Sequence, residues 1–88
     1  MRHIAAFLDR DGVINRRKIG GYITTPDEFI LLPEAPEGIA LLNSIGVLVI
    51  VVTNQRGIER GVMTEEDLKQ VHQFMIAELK KQGARIDD

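Results

Sequence analysis

Phe7-Leu8-Asp9-Arg10-Asp11-Gly12-Val13-Ile14-Asn15 places two carboxylates one residue apart where an apolar run gives way to a glycine turn. Ile4, Ala5, Ala6, Phe7 and Leu8 are all apolar, the pattern of a parallel strand buried on both faces. Ligands of open α/β sheets gather at the carboxyl ends of such strands, which is where Asp9 and Asp11 stand. Side chains at i and i+2 of an extended segment point the same way, so both acids can face one small volume. Two carboxylates that close repel unless a cation or a shared proton relieves them. Magnesium suits the position, because it is hard, prefers oxygen and is commonly held by one or two carboxylates together with substrate phosphate.

Other readings of Asp-x-Asp-Gly compete with this one. Aspartate followed by glycine is common in ordinary turns, where the side chain caps its own backbone. An EF-hand calcium loop needs oxygen ligands at its first, third and fifth positions, glycine at the sixth and glutamate at the twelfth. Counting from Asp9 these fall on Val13, Ile14 and Gly20 for the fifth, sixth and twelfth, so the calcium loop fails.

A second constellation decides between the remaining two. Val47 to Val52 is an unbroken apolar run between Gly46 and Thr53-Asn54-Gln55-Arg56-Gly57-Ile58, and it reads as a second buried strand. With a helix between the two strands this is a βαβ unit, so the strands run in the same direction and Thr53 comes to the same sheet edge as Asp9. A threonine hydroxyl and the backbone N–H groups of such a turn suit the oxygens of a phosphoryl group.

Taken together, Asp9-Arg10-Asp11-Gly12-Val13-Ile14-Asn15 and Thr53-Asn54-Gln55, followed by Gly57-Ile58 and Arg60-Gly61, resemble the first two motifs of the haloacid dehalogenase superfamily. Within it they are similar to the branch of heptose bisphosphate and histidinol phosphatases. The resemblance implies an α/β, Rossmann-like parallel-sheet domain, of which residues 1–88 form the N-terminal part, truncated after the second helix. It implies Asp9 as nucleophile, Asp11 as general acid and base, and Mg2+ on the Asp9 carboxylate and the Asp11 backbone carbonyl. Phosphate would lie on Thr53, Asn54 and Gln55, with Arg60 beside them. The implied substrate is a small phosphorylated metabolite, first heptose 1,7-bisphosphate and second histidinol phosphate. Phosphatase domains that trim 3′-phosphates from nucleic-acid ends carry similar motifs, and a non-catalytic assembly module is a further alternative.

The family's third motif, a lysine, and its fourth, an acidic pair, lie on later strands. Lys80, Lys81, Asp87 and Asp88 have the right chemistry, but the lysines fall in the last turn of a helix and no strand brings the aspartates to Asp9, so no role passes to them. Many members of the branch also bind a structural Zn2+ through cysteines and a histidine placed later, and this chain contains no cysteine. Arg56 and Glu59 depart from the small residues usual in their loop.

Composition agrees with a small α/β unit. A chain of 88 residues with 44% hydrophobic and 27% charged content is ordinary for a globular domain. At this length it buries only about 60 to 65% of its unfolded surface. A net charge of −2 argues against general affinity for nucleic acid or anionic membrane. No apolar run approaches the roughly 20 residues of a membrane span, and Met1-Arg2-His3 lacks the h-region of a signal peptide. The cytoplasm is the expected compartment.

The remaining elements follow from punctuation. Residues 3–8 are the first strand. Residues 16–33 are a connection long enough to carry function, which the resemblance makes a flap over the site, with the basic triplet Arg16-Arg17-Lys18 able to draw an anionic substrate. Glu34 to Ile45 reads as a helix with Pro36 in its first turn, an apolar stripe of Ile39, Leu41, Leu42 and Ile45, and Gly46 as stop. Thr64 caps the last helix, with Asp67 three residues on, Leu68, Val71, Met75 and Leu79 as its core stripe, and Lys80-Lys81 before Gly83. His3 and His72 lack partners at ligand spacing and read as structural or exposed. So small a sheet leaves open edges and apolar faces, so the chain is expected to self-associate and to be nearly inactive by itself.

Overall fold

The computed structural model describes residues 4–54 and 56–88. Two parallel strands, β1 (Ala5–Asp9) and β2 (Leu48–Val52), pair with Ala5 opposite Leu48 and Asp9 opposite Val52. The connection between them carries helix α1 (Ala35–Ser44), and beyond β2 come a single turn, α2 (Arg56–Glu59), and the long α3 (Glu65–Lys81).

Each boundary has a local cause. Pro36 sits in the first turn of α1, and Gly46, at φ +79°, takes the left-handed conformation that ends the helix run before β2. At the start of α3 the Thr64 hydroxyl accepts the Asp67 N–H at 3.1 Å while the Asp67 carboxylate accepts the Thr64 N–H at 2.8 Å. Val71, Met75 and Leu79 are buried along α3, and Phe74 meets Phe29 edge to face at 6.0 Å.

The register puts Ala6, Leu8, Val49 and Val51 on one sheet face, where the core forms with Ile14, Ile39, Val71, Met75 and Leu79. The opposite face is open, as expected of so small a sheet, although the apolar run of β1 by itself reads as a strand buried on both sides: Phe7 is 68% and Ile4 is 70% exposed. Right-handed crossovers explain the asymmetry. From β1 to β2 and on to the chain's end the path keeps moving in one direction across the sheet, so α1 and α3 fall on the same face. Of the apolar stripe read for α1, Ile39 is buried and Leu42 half-buried, whereas Leu41 and Ile45 are exposed. Ile39 and Leu42 share a helix face turned away from Leu41 and Ile45, and a two-stranded sheet is too narrow to cover both.

The last residues stay away from Asp9, as expected, but they do pair with a strand. Asp87 and Asp88 run along the outer edge of β2: both donate N–H to the Val49 carbonyl (2.8 and 3.2 Å), and the Val51 N–H donates to the Asp88 carbonyl at 2.8 Å. Asn43 of α1 clamps the approach, exchanging two hydrogen bonds with the Arg85 backbone. These aspartates thus have a strand partner, but at mid-strand rather than at the carboxyl end that holds Asp9.

Candidate active site

Arg10 N–H donates to the Val52 carbonyl at 3.0 Å, carrying the parallel ladder one residue past Asp9. The chain then reverses tightly, with the Arg10 carbonyl accepting N–H groups of Val13, Ile14 and Asn15, and with Gly12 at φ +88°. Ile14, fully buried, pins this turn to the core. The turn leaves Asp9 and Asp11 at the mouth of a cleft of about 280 Å³ whose opposite lip is Thr53 and Asn54. The Asn54 carboxamide oxygen accepts the Arg56 N–H at 2.9 Å, which starts α2. Four of the candidate residues therefore share one cleft. Arg60 does not: it lies exposed in the turn after α2 and lines none of that wall. Gln55 lies outside the described residues.

The two carboxylates have different surroundings. Among the described residues Asp9 makes no side-chain hydrogen bond or ion pair. Asp11 is held from two sides, by Asn15 Nδ2 at 2.9 Å and by Arg10 Nε and Nη2 at 3.1 and 3.4 Å. Arg10 is only 4% exposed and Asn15 is fully buried, so the clamp reaches out from the interior to an Asp11 carboxylate that is itself exposed. Arg10 Nη1, Asn15 Oδ1 and, on α3, His72 Nε2 are buried without a protein partner. Burial, and then the nearby Arg10 charge, lower the His72 pKa from its ordinary value, and Asp11 opposes the shift. The sequence assigned no role to Arg10, Asn15 or His72. The signal for Asn15 was its place four residues after Asp11 across a glycine turn, where an amide can reach back.

The long connection closes over the cleft. Its base is an antiparallel bridge between Asn15 and Leu31, supported by Arg16 N–H to the Ile30 carbonyl and Leu32 N–H to the Ile14 carbonyl. Inside it, a short 3-10 turn (Pro26–Glu28) presents the Glu28 carboxylate to the Thr24 N–H and hydroxyl, the Thr25 N–H and the Lys18 ammonium. Ile23, 2% exposed, hooks the loop into the core. Tyr22 leans on Gly57 of α2: a Cβ at that glycine would stand 3.0 Å from Met63 Sδ and 3.2 Å from Tyr22 Cγ. A residue without a side chain lets the loop sit this close to the turn after Thr53.

Hydrogen bonding by Lys18, and then by Thr24, holds the Glu28 carboxyl at about 2, below its ordinary 4.5. A depressed carboxyl pKa contributes stability that is complete above the unfolded value and is lost as pH falls through the folded one. The loop is therefore expected to loosen between about pH 4.5 and about pH 2. Titration of the Glu28 side chain by NMR checks this, and a midpoint at or above 4.5 would remove the anchor.

The donor set fits a hard cation. Asp9 offers carboxylate oxygen, the cleft has no histidine or sulfur ligand, and among the described residues no group of three or more His, Cys, Asp or Glu side chains gathers. One or two carboxylates with solvent and a phosphate is the way Mg2+ is usually bound.

No family model matches the chain. It is 45% identical over 87 residues to a D-glycero-beta-D-manno-heptose-1,7-bisphosphate 7-phosphatase of Rhodopseudomonas palustris, covering 99% of this chain and 47% of that protein. The crystal structure of a D,D-heptose 1,7-bisphosphate phosphatase from B. bronchiseptica, complexed with magnesium and phosphate, superposes with a TM-score of 0.87 at 34% identity, over 96% of this chain and 46% of the other. The chain belongs to the haloacid dehalogenase-like phosphatases. A Mycobacterium tuberculosis heptose-1,7-bisphosphate 7-phosphatase is also similar, at 38% over 81 residues, covering 92% of this chain and 43% of that protein. The chain thus spans about half the length of the curated phosphatases it matches. The two-stranded parallel sheet with helices on one face is the corresponding part of the phosphatase fold. Among the described residues no helix is long and apolar enough to cross a membrane.

Proposed function

We propose that residues 1–88 form the nucleophile-bearing part of a single phosphatase domain, which hydrolyses a phosphate monoester through an aspartyl-phosphate. The observation that carries this reading is the Asp9 carboxylate, without a side-chain partner among the described residues, sharing one cleft with Thr53 and Asn54, in a fold whose relatives are named heptose bisphosphate phosphatases. Heptose 1,7-bisphosphate is the substrate that those names support best.

An Asp9 oxygen attacks phosphorus, the phosphorus–oxygen bond to the sugar breaks, and Asp11 gives its proton to the departing alkoxide. Water, deprotonated by Asp11, then attacks the aspartyl-phosphate and releases inorganic phosphate with Asp9 restored. Splitting one displacement into two lowers each barrier, and the Thr53 hydroxyl with the Asn54 backbone orients the phosphoryl oxygens. The Asp9 carboxylate and the Asp11 carbonyl would hold a bound Mg2+, which would supply charge neutralisation at those oxygens. The Arg10–Asn15 clamp keeps the Asp11 carboxyl at the cleft mouth. Arg60 has no part in this cleft as it stands. The lysine and acidic pair that the family resemblance places on later strands have no counterpart in the cleft among the described residues.

Asp11→Asn removes the acid but not the nucleophile, and in any active form of the protein it is expected to slow turnover by roughly 10² to 10⁴. Aryl phosphates, whose leaving groups need little protonation, should lose least in the first step. Single-turnover comparison of p-nitrophenyl phosphate with an alkyl phosphate tests the assignment, and equal losses would overturn it.

A further inference from the structure

The flap lines the cleft through Arg17, Lys18, Gly21, Tyr22 and Ile23, and its charges are unevenly spent. Arg10 is committed to Asp11, and Lys18 to Glu28. Arg17 also lines the cleft and has no carboxylate partner among the described residues, while Tyr22 lines the wall beside it. Arg17 is exposed, but it also lines the small cleft that holds Asp9, where a second anionic group of a substrate would lie.

We propose that Arg17 is a specificity-determining residue that binds a second phosphate of the substrate, so that the site prefers sugar bisphosphates to monophosphates. This rests on the phosphate reading of the Asp9 and Thr53 cleft. A guanidinium presents paired N–H donors in a plane that matches two phosphate oxygens, which a lysine at the same position does not. The flap fixes where that fork stands: the Asn15–Leu31 bridge closes its base, Glu28 ties Lys18, the residue next to Arg17, to Thr24, and Ile23 anchors the far side in the core. Arg17 is thus presented from a braced loop rather than a free one. A monophosphate would engage Asp9, Thr53 and the cation but leave Arg17 unused.

Binding to the full chain in the presence of Mg2+, followed by NMR with inorganic phosphate, a hexose 6-phosphate and a hexose 1,6-bisphosphate, tests the proposal. The bisphosphate is expected to bind roughly ten- to a hundredfold tighter than the monophosphate, the range a charge-assisted arginine contact supplies. Arg17→Ala should erase that difference while leaving inorganic phosphate affinity unchanged, and Arg17→Lys should restore only part of it. Arg16→Ala, an exposed neighbour outside this cleft, should retain the preference. Equal affinities of the wild-type chain for the two sugars, or an Arg17→Ala variant that weakens all three ligands alike, would overturn the role of Arg17 and leave the phosphate cleft intact. Failure of the wild-type chain to bind any of the three would overturn the phosphate reading and the inference with it.

Discussion

Asp9→Asn is expected to leave the protein folded and to reduce phosphate release by any active form of it by roughly 10⁴-fold or more, the scale seen when a covalent nucleophile is removed. Asparagine matches aspartate in shape, and because Asp9 makes no side-chain hydrogen bond among the described residues, the substitution breaks no clamp or ion pair there. What it removes is the attacking oxygen and the charge that would hold Mg2+. Circular dichroism should therefore match the wild type while phosphate release falls to background. Turnover at the wild-type rate would eliminate the aspartyl-phosphate mechanism.

Ile14→Ala should act through stability instead. Ile14 is fully buried in the turn that carries Asp11 and Asn15, and its truncation leaves a cavity under that turn. Large-to-small substitutions of this kind cost about 2 to 5 kcal/mol, against a total of roughly 5 to 15 kcal/mol for a single domain, and a chain this short belongs at the low end. The variant is expected to be largely unfolded at 37 °C or to melt well below the wild type. Urea melts followed by circular dichroism give the number, and a loss below about 1 kcal/mol would mean that the turn collapses onto the gap.

The contrast between these two positions shows what a sequence of this kind carries. Asp9, Asp11 and Thr53 were legible because polar residues ending two apolar runs are brought together by the handedness of a βαβ unit, a rule that needs no side-chain detail. The stripe Val71, Met75 and Leu79 was legible for the same reason, since helical periodicity alone places it. The open face at Phe7 was legible from the smallness of the sheet but not from the strand itself, because an apolar run does not say how many elements cover it. The Arg10–Asp11–Asn15 clamp depends on how sharply the chain turns at Gly12, and the approach of Tyr22 to Gly57 depends on where a long loop comes to rest. The relatives could not have been replaced by geometry either: the cleft shows acids and a phosphate-sized space, whereas the heptose bisphosphate reading draws on what similar proteins are named.

The seat of the chain's last residues gives the sheet a polarity that its two strands alone would lack. The Asp87 carboxylate accepts the Val49 N–H at 2.8 Å, so a side chain caps a donor that an incoming strand would need, and Asp88 occupies the next rung. The outer edge of β2 thereby carries its own acidic gatekeeper, while the outer edge of β1 carries none of this tail. A strand arriving from a second molecule would enter beside β1, next to the bare Phe7 face. If two copies met there across a twofold axis, their β1 strands would have to run antiparallel, joining two parallel pairs into one mixed sheet and sending the two Asp9 clefts to opposite ends of it.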